Sequence, residues 1–210
     1  YKGHDDAYLP FPVISYEGER FFMRGPSAGL HIWKDELQEL SVGVSYAGPH
    51  FDNGKTDDKR LNTLKDRHPT MTVDLHYALR TAYGEGGITL SQDVLGNSEG
   101  LVADARYKYP LEFGALTVSP GLGLRWESEK QIRYYYGVSS REARRSGLEK
   151  YRPGSGVSPY LSLEAGYGFA ESWSVLAGGR LIFLSDKIQD SPMVDDSKQV
   201  EAYCGIAYSF

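Results

Sequence analysis

Nine charged or titratable side chains fall at alternating positions inside apolar segments: Asp74, His76, Asp104, Arg106, Lys108, Arg125, Glu164, Arg180 and Glu201. A carboxylate and an imidazole two residues apart, as in Asp74 and His76, are types that do acid–base work. Spacing i, i+2, however, says only that both project to one side of an extended chain. Gly-x-Ser-x-Gly text does occur at 25–29 and 96–100, but both stretches read as turns between strands rather than the strand-to-helix elbow that a nucleophile of this type needs. His31, His50 and His68 lack metal-ligand spacing, and Cys204 is the single cysteine, which gives neither an internal disulfide nor a zinc pattern. The residue types therefore point to no catalytic centre, no metal and no cofactor. A charged lining of a lumen remains, with two readings. Such charges could tune the passage of ions or small solutes, or they could pair with one another and plug a narrow interior, because unpaired buried charge is costly.

A second group lies in the polar stretch from Glu127 to Gly156. Arg133, Arg141, Arg144, Arg145, Lys150 and Arg152 are interleaved there with Tyr134, Tyr135, Tyr136 and Tyr151. Arginine suits phosphate recognition, so on an outer surface this group would meet lipopolysaccharide. The alternative is a self-packed loop over a barrel mouth, with the tyrosines as its own small core. Residues Ser140 to Glu149 are expected to contain a short helix.

The elements that must position these residues are strands. Met71, Val73, Leu75, Tyr77 and Leu79 alternate with Thr72, Asp74 and His76, and Leu101, Ala103, Ala105, Tyr107 and Tyr109 alternate with Asp104, Arg106 and Lys108. Period two is the mark of a strand with one apolar and one polar side. The same pattern recurs from Leu116 to Trp126, from Tyr160 to Phe169 and from Gln199 to Phe210, and eleven such strands can be placed along the chain. Connections alternate between tight turns and longer polar loops at 48–68, 94–99, 127–156 and 185–197. That is the arrangement of an outer-membrane barrel with periplasmic turns and extracellular loops. The mean hydropathy of −0.44 agrees, since a barrel shows lipid only alternate residues. No stretch is long and apolar enough for a transmembrane helix, and the formal net charge of −5 argues against nucleic acid as a partner. Trp126, Tyr107, Tyr109, Tyr167, Phe169, Trp173 and Phe210 gather at strand ends, as interfacial girdles do; a soluble sandwich would instead face water with charge.

The expectation is an all-β, antiparallel, transmembrane up-and-down β-barrel occupying residues 1–210 as one domain. If Phe210 closes the barrel from the periplasmic side, eleven strands leave residue 1 outside. An even-stranded barrel of 12 strands then requires a first strand that this chain does not show.

Several separated motifs resemble one family. They are Pro12-Val13-Ile14-Ser15-Tyr16-Glu17-Gly18, Thr117-Val118-Ser119-Pro120-Gly121, Tyr134-Tyr135-Tyr136-Gly137-Val138-Ser139, Ala143-Arg144-Arg145-Ser146-Gly147-Leu148, Ser158-Pro159-Tyr160-Leu161, Trp173-Ser174-Val175 and Asp190-Ser191-Pro192-Met193-Val194-Asp195. In this order, through nearly the whole chain, the text resembles the MipA/OmpV family of Gram-negative outer-membrane proteins. The resemblance implies a non-enzymatic barrel in the cell outer membrane, in contact with outer-membrane lipid and lipopolysaccharide. For one branch it implies a scaffold in peptidoglycan assembly, linking a lytic transglycosylase to a penicillin-binding murein synthase. Other branches imply osmotic adaptation, a role as an adhesin, or antibiotic response. The main rival to the scaffold is a small-solute channel or porin-like envelope-stress protein. A periplasmic scaffold sits uneasily with tight turns alone, whose area is small beside the ~800 Å² each partner contributes to a standard interface.

Overall fold

The computed structural model describes residues 1–2, 15–170 and 172–208. Twelve strands are present among them: β1 (Ser15–Glu17), β2 (Phe21–Arg24), β3 (Ser27–Lys34), β4 (Gln38–Ala47), β5 (Thr70–Thr81), β6 (Gly84–Asp93), β7 (Leu101–Lys108), β8 (Leu111–Phe113), β9 (Leu116–Glu127), β10 (Gly156–Ala170), β11 (Trp173–Phe183) and β12 (Lys198–Tyr208). Each pairs antiparallel with its neighbour in chain order, except that β7 and β8 both lie along β9. Pro110 stands between those two short strands. Lacking an amide hydrogen, proline cannot donate to the ladder, so one wall position is split in two. The wall thus has eleven positions, and β1 runs alongside β12 with Cα atoms within 8 Å, without a ladder between them among the described residues. The result is a nearly closed up-and-down barrel. The first strand is described only from Ser15, and Phe210 lies outside the described residues.

Alternation sorts the two faces. On β5, Met71, Val73, Leu75, Tyr77 and Leu79 are exposed outward while Thr72 and Ala78 are buried and Asp74 and His76 half-buried within. Leu90, Leu122, Leu124, Leu161, Leu163, Val175 and Ile206 extend the outer apolar belt around the wall. A water-soluble surface rarely carries so continuous an apolar patch, whereas a barrel in a bilayer requires one. No helix among the described residues is long and apolar enough to cross a membrane. Trp33, Tyr83, Tyr107, Tyr109, Phe113, Tyr167, Phe169 and Trp173 crowd the end with short turns, which is the periplasmic end, since extracellular loops are the longer ones.

Inside, rings lie over glycines of the adjoining strand. A Cβ at Gly123 would sit 2.4 Å from the Tyr160 ring and 2.7 Å from the Ala105 carbonyl. Gly29 and Gly43 receive Phe22, and Gly178 receives Tyr203, in the same way. The glycine–aromatic pairing fills the lumen without adding bulk to the wall.

At the other end the long loops are not irregular throughout. The stretch read as a plain loop after Glu127 holds α1 (Glu129–Tyr136) and α2 (Ser140–Ser146), and α3 (Asp186–Gln189) lies in the loop before β12. Of these only the helix in 140–149 was legible. Ser128 caps α1 by accepting from the Gln131 amide, Ser139 and Glu142 form a reciprocal capping box, and Gly147 ends α2 at φ 72°, a conformation glycine adopts freely. The short connection at 110–114 contains β8. Its three-residue strand is too short for period two to reveal it.

Candidate functional site

The outer mouth is covered by a cap with its own apolar core. Phe51, Leu61, Leu64, Val138, Leu148 and Met193 form one buried cluster, and Ile132, Tyr135, Tyr136, Ile188 and Val194 form another, with Tyr1 packed against both. All four long outer loops contribute to the cap: the Asn97 side chain donates to the Pro69 carbonyl at 3.0 Å, and Ser98 donates to Gln131 Oε1 at 2.8 Å. Tyr1 stacks on Tyr136 at 5.5 Å between ring centroids. The polar pin of this cap is Glu142. It accepts from Arg67 Nη2 at 2.9 Å, the Ser139 amide at 2.9 Å and the Ser139 hydroxyl at 2.7 Å. Burial alone would raise its carboxyl, but the Ser139 and Arg67 donors outweigh burial and hold it at about 2.

The basic–aromatic group divides between interior and surface. Tyr135 and Tyr136 are buried, and burial pushes both phenols up. The Tyr135 hydroxyl donates to the His68 carbonyl at 3.2 Å, and Tyr134 accepts from the His68 amide at 3.2 Å. The Tyr151 hydroxyl donates to the Lys187 carbonyl at 3.1 Å. Arg133 pairs with Glu129 at 2.5 Å, and Arg145 donates to the Thr63 carbonyl at 2.9 Å. Arg141, Arg144, Lys150 and Arg152 are exposed.

Beneath the cap lies a cavity of about 250 Å³, whose lining includes Arg125, Glu127, Tyr136, Ser158, Gln199 and Glu201. Arg125 Nε is 4.0 Å from Glu127 Oε1 and has no hydrogen-bond partner among the described residues. Glu201 accepts from Gln199 at 3.0 Å. Midway down, Asp104 accepts from the Tyr160 hydroxyl at 2.9 Å, and the Arg180 guanidinium lies 5.2 Å from the same ring. Asp74 accepts from the hydroxyls of Ser45 and Thr72. His76 Nδ1 is 2.9 Å from the Thr89 hydroxyl. Asp74 and His76 thus find separate partners rather than each other. Of the nine lumen residues, Lys108 and Glu164 form a direct ion pair, at 3.2 Å.

The densest charge network sits at the periplasmic mouth. Arg24 reaches Glu17 and Glu39, each at 2.9 Å, and Arg80 reaches Glu39 at 3.0 Å and Glu85 at 3.3 Å. Lys34 reaches Glu17 at 2.7 Å, and Lys108 lies 3.6 Å from Glu85. His31, its side chain 2% exposed, points Nε2 at Glu17 from 3.0 Å and Nδ1 at Glu39 from 3.5 Å. Glu17, His31 and Glu39 are close enough to share a metal ion. Arg24, Lys34 and Arg80 already occupy the same carboxylates, however, and place three cations where a divalent ion would have to enter. The donor set is that of an ion-pair network.

Sequence reading missed Glu17, Arg24, His31, Lys34, Glu39, Arg80 and Glu85 as a group. Glu39 continues the inward register of Ser41, Gly43 and Ser45, so extending β4 by one residue would have found it. Glu17, Arg24, Lys34, Arg80 and Glu85 sit at or next to strand ends, where a turn and the last inward residue look alike, and His31 lies within β3 just before a register irregularity. Arg67 and Glu142 meet across two loops, and no periodicity reports such a pair.

Against known proteins, the family model described as "MltA-interacting protein MipA" matches residues 1–210. The chain belongs to the MipA family. This MipA-family chain is 43% identical over 210 residues to the "MltA-interacting protein" of Escherichia coli (strain K12), covering 100% of itself and 85% of that protein. It is 31% identical over 210 residues to the "Putative outer membrane protein YiaT" of the same strain, again with 100% and 85% covered. Outer membrane protein OmpV of Vibrio cholerae is 26% identical over 213 residues, with 100% of this chain and 81% of that protein covered. No solved structure matches. The names are those of interacting or outer-membrane proteins rather than of enzymes. With the lipid-facing belt and the barrel, they place this member of the MipA family in the Gram-negative outer membrane.

Proposed function

We propose that this chain is a non-enzymatic outer-membrane scaffold that engages a lytic transglycosylase and links it to a penicillin-binding murein synthase in peptidoglycan assembly. The observation that carries the reading is 43% identity, over the whole chain, to a protein named for interacting with MltA. The mouth network adds a contact surface that the turns alone lack: Glu17, Lys34, Arg80, Glu85 and Lys108 ring the periplasmic end with both signs of charge. Charged rims of this kind set register and association rate more than raw affinity. The test is capture of a purified lytic transglycosylase by the barrel in detergent. Capture that falls at least tenfold when Lys34 and Glu36, the latter exposed in the turn between β3 and β4, are both charge-reversed supports the reading. No capture by the native barrel at micromolar concentration refutes it.

For the lumen, the proposal is a plug of paired charges and ring-covered glycines rather than a pore, supported by the packed cap over the outer mouth. Stable, charge-selective single-channel conductance would reverse it. For the exposed Arg141, Arg144, Lys150 and Arg152, the proposal is contact with lipopolysaccharide phosphates, supported by guanidiniums left facing solvent on the outer side. Unchanged lipopolysaccharide binding on joint replacement of Arg141 and Arg144 by Ala would remove it.

A further inference from the structure

Just inside the periplasmic mouth is a cavity of about 340 Å³ lined by Arg24, Lys34, Arg80, Arg106 and Lys108 together with Glu17, Glu39, Glu85 and His76. This volume is at the lower end of the range for small-molecule sites. Five cations face three carboxylates in the lining, with Glu164 beside Lys108 as a fourth, so positive charge remains in excess. Four of the five cations are already engaged by Glu17, Glu39, Glu85 or Glu164. Arg106 makes no hydrogen bond or ion pair with any described residue.

Its surroundings explain why it stays uncommitted. The residues directly across from Arg106 are Gly87 on β6 and Gly123 on β9. Neither has a side chain to meet it, and Gly123 is covered by the Tyr160 ring while Arg106 itself passes over Gly87. Along its own strand the inward neighbours are already satisfied: Asp104 holds the Tyr160 hydroxyl, and Lys108 holds Glu164. A guanidinium carries five donors in a rigid fork and is always charged. Half-buried and lining the cavity, it presents donors that no side chain among the described residues occupies to whatever enters there.

We propose that this cavity is a binding site for a small organic carboxylate of one or two negative charges, with Arg106 as the residue that grips it. The planar carboxylate matches the guanidinium fork in a two-point contact. The excess charge of the lining matches the ligand's. Glu17, Glu39 and Glu85 on the remaining wall favour a ligand that also carries hydroxyl donors, so a hydroxy acid fits better than a bare inorganic anion. The cavity shares Glu17, Lys34, Arg80, Glu85 and Lys108 with the charged rim described above, but the gripping residue, Arg106, is not part of that rim, so the two roles are tested by different substitutions.

The test uses the purified, folded barrel in detergent, titrated calorimetrically with L-malate and, separately, with inorganic phosphate. Saturable L-malate binding is expected, weakened about tenfold or more in Arg106→Gln and unchanged in Arg180→Gln, a lumen arginine engaged on Tyr160. In the wild-type protein, L-malate should also protect Arg106 from modification by phenylglyoxal, read by peptide mass spectrometry. That measurement does not depend on any variant folding. Absence of saturable binding, equal binding by Arg106→Gln, binding of phosphate without L-malate, or lack of protection at Arg106 would each overturn the proposal.

Discussion

Replacing Glu142 by alanine should open the outer cap while leaving the barrel wall standing. The side chain is buried and accepts from Arg67, Lys65, and both the amide and hydroxyl of Ser139. Alanine removes all of these and strands the Arg67 guanidinium, itself 6% exposed, without a counter-charge. Breaking a buried pair from one side costs about 3–5 kcal/mol, and loss of the capping box is part of that cost. The depressed titration of the carboxyl leads to a similar figure. The carboxyl falls from 4.5 to about 2 in the folded cap, and at ~1.4 kcal/mol per pH unit this is worth about 3 kcal/mol. Because the folded value is depressed, the contribution is complete above 4.5 and is lost as pH falls toward 2. About 3 kcal/mol corresponds to a rise of roughly a hundredfold in the population of the open cap. Hydrogen exchange of the barrel in detergent reads it: amides in residues 138–148 should exchange about a hundredfold faster in Glu142→Ala, while those of β9 and β10 stay protected. Glu142→Gln should fall between the two. In the wild type, the same peptides should lose protection between pH 4.5 and pH 2 beyond the intrinsic acid dependence. Exchange within about twofold of wild type in Glu142→Ala would show that the Arg67–Glu142 pair does not hold the cap.

Three further outcomes follow from the wall and the mouth. Gly123→Val should abolish the folded, heat-modifiable band on gels, and adding Tyr160→Ala should restore it only in part, since the Ala105 carbonyl still lies 2.7 Å from the new Cβ. Leu163→Arg, which places charge on the lipid face in mid-strand, should cost about 2–4 kcal/mol and lower folding yield into liposomes, whereas Ser162→Arg on the lumen side should lower it less. Glu39→Ala leaves Arg24 and Arg80 without their shared carboxylate and should destabilise the barrel by about 3 kcal/mol or more, read as a lowered temperature of gel-shift conversion.

The barrel was legible because its signal is repeated. Leu75, Leu122 and Leu163 each sit in long alternating runs, and a one-residue error in any of them would turn every side chain to the wrong face. The loop parity was legible for the same reason. The cap was less so: α1 carries Ile132, Tyr135 and Tyr136 on one side, but eight residues are only about two turns, and the apolar triplet reads equally as loop or strand. The mouth network was illegible for a different reason. Glu17, His31, Glu39, Arg80 and Glu85 come from five strands, and their meeting depends on register, including the irregularity between His31 and Trp33. Propensity carries no information about such a shift. Arg106 was visible as an inward charge, but its lack of a partner depends on Gly87 and Gly123 being opposite, which only the pairing shows.

The cap draws its core from residues as far apart as Phe51 and Val194, which has a consequence for how the molecule is made. Loop closure over such separations is entropically unfavourable until the strands between have brought the ends together. The outer lid therefore completes after the wall, with its last apolar contributions from Ile188, Met193 and Val194 arriving immediately before β12. A sealed cap is in this sense a record of finished insertion: a chain stalled before its final strand carries every aromatic of α1 and still cannot bury them.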